Sequence, residues 1–185
     1  MELPETDPRV QAKIPLHGPN LFPEEPVELK NLILTWQKQM EQLGYHILAA
    51  IAESLGLDAD HFRKTICKEH LGLLRIFHYP AEKEHDPSLW AVGEHTDYGL
   101  ITMLLPTDKG LQVKTKQGVW IDVDPIPGTF VVNIGDILER ITGGLYKSTP
   151  HRARNTQGTS RYSVPYFFDP DWDAELKVLN IAVSE

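Results

Sequence analysis

Gly-Glu-His-Thr-Asp-Tyr-Gly at residues 93–99 is answered further along the chain by Lys-Ser-Thr-Pro-His-Arg at 147–152. His95 and Asp97 are two residues apart and flanked by apolar positions, and His151 opens a second alternating run. On a strand, residues i and i+2 point to the same face. One strand can therefore offer an imidazole nitrogen and a carboxylate oxygen to a single ion. A histidine from a distant strand would complete a two-histidine, one-carboxylate face that leaves the opposite coordination positions open. By itself His-x-Asp says little, because a strand histidine is usually just packed. The residues downstream of His151 give the pair its weight.

Ten residues after His151 comes Arg161-Tyr162-Ser163, at the head of the apolar run Tyr162–Phe168. Arg161 and Ser163 again share a strand face. An inward guanidinium is costly unless it is paired. A carboxylate held by two parallel hydrogen bonds would satisfy it, with the Ser163 hydroxyl as a third donor. Three metal ligands with an anion anchor nearby suit a small dicarboxylate that chelates the metal at one end. The plainer reading of Arg161 is an ordinary ion-pair residue.

With 185 residues the chain is long enough for one well-buried domain. Its 41% hydrophobic and 24% charged content is ordinary for a globular protein. No run of eighteen apolar residues predicts a membrane span, and the start lacks the basic and apolar regions of a secretory signal. Cys67 is the single cysteine, so no internal disulfide can form, and a reducing, cytoplasmic setting is expected. The net charge of −8 argues against nucleic-acid partners. The expected partner is a small-molecule substrate, and the expected state a monomer.

Residues 1–26 carry six prolines and little periodicity, which predicts an extended segment. From Val27 to Leu55 apolar residues recur at helical spacing, with a possible bend at Gly44 and a C-terminal stop at Gly56. Asp58 reads as the N-cap of a second helix through about Lys68, closing a helical segment over 27–70. His46, His61 and His70 are expected on helix surfaces. Beyond that the period becomes two. Strands are predicted at Leu73–Tyr79, Trp90–Glu94, Leu100–Leu105, Leu111–Lys114, Val119–Val123, Phe130–Ile134, His151–Arg154 and Tyr162–Phe168, with a short helical turn after Asp136. Many short strands with regular turn signals imply a sandwich or barrel over 71–168. Residues 169–185 read as an acidic tail.

His95-Thr-Asp97, Asn133-Ile-Gly-Asp136-Ile-Leu-Glu139, Gly144-Leu-Tyr146-Lys-Ser148, His151-Arg152 and Arg161-Tyr-Ser163 occur in one order over about Leu29 to Asp169. In this the chain resembles the catalytic domain of the isopenicillin N synthase-like iron and 2-oxoglutarate-dependent dioxygenases. The resemblance implies a mainly β fold with α, a double-stranded β-helix (jelly-roll, cupin-like) core preceded by packing helices. It implies Fe(II) on His95, Asp97 and His151, with the far carboxylate of 2-oxoglutarate on Arg161 and Ser163. Tyr79 matches a position that often contacts the cosubstrate; core packing is its plainer reading. O₂ is the co-reactant and ascorbate a further candidate.

The implied activity is hydroxylation or desaturation of a small organic molecule with release of succinate and CO₂. Two alternatives stand beside it: an iron-dependent oxidase that does without 2-oxoglutarate, and a truncated, non-catalytic metal-binding module. Two departures from the family accompany the resemblance. Phe77 stands where some members carry an asparagine, and the chain is shorter than members at both ends. Asp136 and Glu139 read as structural, Glu94 and His78 as outward-facing, His85 as a loop residue, and Trp90, Trp120 and Trp172 as packing.

Overall fold

The switch from helical to twofold periodicity near residue 70 divides the architecture. The computed structural model describes residues 3–81, 90–154 and 159–181; His85 lies outside these. Helices α1 (Pro8–Gln11), α2 (Glu28–Ser54) and α3 (His61–Thr65) come first. Strands β1 (Leu71–Leu74), β2 (Phe77–Tyr79), β3 (Val92–His95), β4 (Ile101–Pro106), β5 (Leu111–Lys114), β6 (Trp120–Val123) and β7 (Val131–Ile134) come next. Helix α4 (Asp136–Ile141), β8 (His151–Ala153) and β9 (Arg161–Asp169) complete the order. One sheet runs β1-β9-β4-β7, with β2 also on β9, and the other runs β3-β8-β5-β6. All pairings are antiparallel. The two sheets face each other across a cavity, which is the double-stranded β-helix that the sequence predicts.

Strand β9 shows why one sequence serves two environments. Tyr166 and Phe168 turn away from the cavity into the core, where Met40, Leu48, Ile51 and Ala52 of α2 pack beside Met103. Arg161, Ser163, Pro165, Phe167 and Asp169, at alternate positions, line the cavity. Strand β4 is likewise two-faced: Ile101 and Met103 join the core while Thr102, Leu104 and Pro106 line the cavity. A sheet covered by a helix on one face and lining a pocket on the other needs this alternation.

Several expectations are corrected. The Pro-rich segment contains α1, one helical turn whose first free N–H, that of Arg9, is accepted by the Asp7 carboxylate at 2.9 Å. The strand expected over Leu73–Tyr79 is two, β1 and β2, both on β9. Between them Arg75 N donates to Pro165 O at 3.0 Å, but proline has no N–H to return, so the ladder is interrupted there. Asp58 is not the N-cap of the short second helix, which starts at His61 after Asp60. Its carboxylate accepts from Asp60 N at 2.9 Å in a turn, and α3 ends at Thr65.

Helix α2 runs through Gly44 without a break. This glycine is buried because β9 approaches there: a Cβ at Gly44 would lie 2.3 Å from Phe168 Cδ2. Gly56, just past the helix, has φ +72°, the left-handed conformation that glycine adopts without penalty.

His70 is buried, not on a helix surface. Its ring stacks on Phe168 at 4.0 Å between centroids, its Nδ1 meets the Tyr45 hydroxyl at 3.2 Å, and its Nε2 meets Tyr166 Oη at 3.3 Å. Burial pushes the imidazole down to about 4 from its ordinary 6.5. Below pH 6.5 the unfolded chain takes up a proton that the folded chain refuses. This residue therefore costs stability progressively as pH falls from 6.5 to 4, by about 3 kcal/mol in all, and is neutral in effect above 6.5. In denaturant titrations over that interval, His70→Gln should show a pH slope flatter than the parent's by this amount. Gly44→Ala, which gains helix propensity on paper, should instead lose about 1–3 kcal/mol through overpacking against Phe168, read as a lower denaturant midpoint.

Candidate metal centre and anion anchor

Strands β3 and β8 pair in a register that sets His95 opposite His151. Asp97 lies two residues beyond His95, just past the end of β3. One nitrogen from each histidine and one Asp97 oxygen all lie within 4.8 Å of one another. His151 Nε2 is 3.6 Å from Asp97 Oδ1, and His95 Nε2 is 3.9 Å from the same oxygen. The other ring nitrogens are committed: His95 Nδ1 meets Gly93 O at 2.8 Å and His151 Nδ1 meets Thr149 O at 3.0 Å. A carbonyl can only accept, so each Nδ1 carries the proton and, in the neutral ring, each Nε2 presents a bare lone pair. Two lone pairs and a carboxylate oxygen thus converge with no donor between them. That arrangement fits a divalent cation, with three further positions open on the cavity side.

Asp97 is held at both its side chain and its backbone. Asn133 Nδ2, from β7, donates to its Oδ2 at 3.4 Å, leaving Oδ1 for the centre. The Asp97 carbonyl accepts from Asp136 N at 2.8 Å, and Asp136 Oδ2 accepts from Thr96 Oγ1 at 3.1 Å. Asp136 is therefore structural, as is Glu139, which accepts from Ser148 N at 2.7 Å and from Lys147 Nζ at 3.1 Å. On the outer face of β8, Arg152 lies between the rings of Trp90 and Trp120, its guanidinium carbon 3.7 and 3.9 Å from their centroids. Its Nε donates to Gln112 Oε1 at 3.0 Å. Glu94 pairs outside with Lys114 at 2.8 Å, and His78 stacks on Tyr162 at 4.7 Å. Trp172 is exposed and meets the His17 ring edge-on.

His95, Asp97 and His151 share one cavity of about 360 Å³ with Arg161, Ser163 and Tyr79. Arg161 and Ser163 are buried. The Arg161 guanidinium carbon sits 4.0 Å from the centre of the Tyr79 ring, and its Nη2 donates to Arg154 O at 3.0 Å. Its Nε is buried without a partner among the described residues. Burial lowers the guanidinium from its ordinary value, and the same cause raises the Tyr79 phenol. An incompletely satisfied, desolvated guanidinium beside a buried hydroxyl fits a carboxylate ligand. Burial, with the nearby charge of Asp97, also pushes Asp169 up to about 6. Asp169 lines the same cavity.

All six residues singled out in the sequence are thus brought to one cavity. Asn133 and Asp169 join them there without having been singled out as site residues. Asn133 lies within one of the family-like motifs, and its alternation with Ile134 is the signal for its inward face. Asp169 reads in the sequence as part of the tail, whereas it is the last residue of β9.

The sequence profile of the 2OG-Fe(II) oxygenase superfamily matches residues 71–170. The chain belongs to that superfamily. A probable iron/ascorbate oxidoreductase of Dictyostelium discoideum is 46% identical over 196 residues, covering 94% of this chain and 54% of the relative. A homoarginine-6-hydroxylase of Arabidopsis thaliana is 36% identical over 168 residues, covering 90% and 46%. The chain therefore spans about half the length of these relatives. A full-length Neurospora crassa protein, crystallised in complex with alpha-KG, superposes with a TM-score of 0.84 at 34% identity, covering 95% of this chain and 58% of that one. This superfamily is defined by iron and 2-oxoglutarate, which agrees with the donor set described above.

If Asn133 orients Asp97, Asn133→Ala should weaken divalent-metal binding by about tenfold or more. Titration with Co(II) under anaerobic conditions, followed by its visible spectrum, measures this directly.

Proposed function

We propose that the protein is an Fe(II)- and 2-oxoglutarate-dependent oxygenase of a small organic molecule. His95, Asp97 and His151 are the metal ligands, and Arg161 and Ser163 hold the far carboxylate of 2-oxoglutarate. Tyr79 forms the aromatic wall against which the Arg161 guanidinium lies. The observation that carries this reading is the coexistence, in one cavity, of three convergent acceptors and a buried guanidinium whose Nε has no partner among the described residues. When bound, iron and 2-oxoglutarate supply the oxidation, with decarboxylation to succinate and CO₂ as O₂ is reduced and the substrate hydroxylated or desaturated.

The chain's own residues contribute placement. The carbonyls of Gly93 and Thr149 hold the two imidazoles in the tautomer that exposes Nε2. Asn133 turns one Asp97 oxygen toward the centre. Arg161 offers a planar pair of donors whose burial cost a bidentate carboxylate offsets, with Tyr79 fixing the plane of the fork. Leu104, Pro106 and Leu111 line the cavity with apolar surface and help exclude water. No nucleophile or acid–base dyad is required.

Ascorbate as a reductant that keeps iron divalent is supported by the Dictyostelium discoideum relative, a probable iron/ascorbate oxidoreductase. Among the described residues, no helix is long and apolar enough to cross a membrane. The reading as a cytoplasmic monomer without nucleic-acid partners is supported by the buried lone cysteine and the net charge of −8.

The test is an anaerobic titration of the chain with Fe(II) and then 2-oxoglutarate, watching for the visible charge-transfer band of the chelate. The band is expected in the parent and absent in His95→Ala. Arg161→Lys should retain iron but bind 2-oxoglutarate more weakly, because a point charge cannot make the bidentate pair. A folded parent that binds iron but never shows the band would sink the 2-oxoglutarate assignment.

A further inference from the structure

With iron and 2-oxoglutarate placed as above, two charged side chains that line the cavity have no part assigned: Arg75 and Asp169. Arg75 is exposed, its guanidinium carbon 5.8 Å from the centre of the Phe167 ring, and solvent carries its charge. Asp169 is different. Its Oδ1 is buried and accepts no hydrogen bond from any described residue.

The fold makes room for this carboxylate. Gly99, two residues after Asp97, lies directly beneath it: a Cβ on Gly99 would stand 1.7 Å from Asp169 Oδ1 and 2.9 Å from its Cγ. Any other residue at 99 would displace the acid. The alternation along β9 that sends Arg161 and Ser163 to the cavity sends Asp169 there too, at the opposite end of the strand. The cavity therefore carries an anion-binding group at one end of β9 and an unpaired acceptor at the other. A carboxylate oxygen buried without a donor is costly until a ligand brings one. An anionic ligand group would be repelled there, and an apolar one would leave the acid unsatisfied. A cationic nitrogen satisfies both its charge and its lone pairs.

We propose that Asp169 determines substrate choice, accepting hydrogen bonds from an ammonium or guanidinium group of the organic substrate. This rests on the oxygenase reading above, since it takes the Arg161 end as occupied by 2-oxoglutarate. The substrate's cation and the cosubstrate's carboxylate then occupy opposite ends of β9 and do not compete.

The experiment is calorimetric titration of the anaerobic chain, loaded with Fe(II) and 2-oxoglutarate, with N-butylguanidinium and with N-butylurea, its uncharged isostere. The parent should bind the guanidinium at least tenfold more tightly than the urea, as a charge-assisted hydrogen bond implies. Asp169→Asn, once loaded with Fe(II) and 2-oxoglutarate at saturating concentrations, should lose that preference, and Asp169→Glu should preserve its direction. Equal or absent binding of the two probes by the parent would overturn the proposal without reference to any variant. So would a preference that survives in Asp169→Asn, or a loss of both probes alike, which would mark the residue as structural. Failure of the parent to take up Fe(II) or 2-oxoglutarate is a separate result, and would overturn the oxygenase reading and this inference with it.

Discussion

Everything at the candidate metal centre depends on one cross-strand pairing, His95 opposite His151 on β3 and β8. Because side chains alternate with a period of two, a slip of one residue would turn one imidazole out of the cavity and replace it with a neighbour. Arg152, clamped between two indoles on the far side of β8, opposes such a slip, since moving it would break both stacks. The outer face of the smaller sheet thus holds the inner one in register. The long helix does the same for the larger sheet, where the Phe168 ring fills the space that Gly44 leaves open.

The two sheets divide the work unequally. The smaller one contributes the histidines through β3 and β8. The larger one contributes the orienting Asn133, the aromatic Tyr79 and, through β9 alone, both the guanidinium and the second carboxylate. Strand β9 is paired on both edges, by β4 on one side and by β1 and β2 on the other. The residues that would discriminate between ligands therefore stand on the most constrained backbone of the sheet, whereas loops more commonly carry that burden.

That His95 and Asp97, and likewise Arg161 and Ser163, reach one cavity is legible in the sequence because each pair is a two-residue pattern within a strand or at its end, where spacing alone decides the face. The end of α2 is legible from Gly56 for a similar local reason. The features that escape depend on partners far away in the chain. Leu73–Tyr79 reads as one strand until Pro165 is set against it. Gly44 reads as a weak point until Phe168 arrives. His70 comes after a helical stretch, and its burial is visible only once Tyr45, Tyr166 and Phe168 surround it. Asp169 reads as the start of an acidic tail because apolar periodicity stops one residue earlier, and a polar residue that closes a strand carries no hydrophobic signal.

The locked imidazoles have a consequence for metal identity. Each Nδ1 is already bound to a carbonyl and each Nε2 already points inward, so the site needs no rearrangement to receive an ion. A preformed face of two nitrogens and one oxygen does not by itself favour iron. Along the first-row divalent series, cobalt, nickel and copper bind such ligands more tightly than Fe(II). Selection would then come from which ion is abundant and exchangeable when the chain folds, rather than from the protein's own ligands. A preparation saturated with cobalt or nickel would be as well folded as the iron form, and chemically silent.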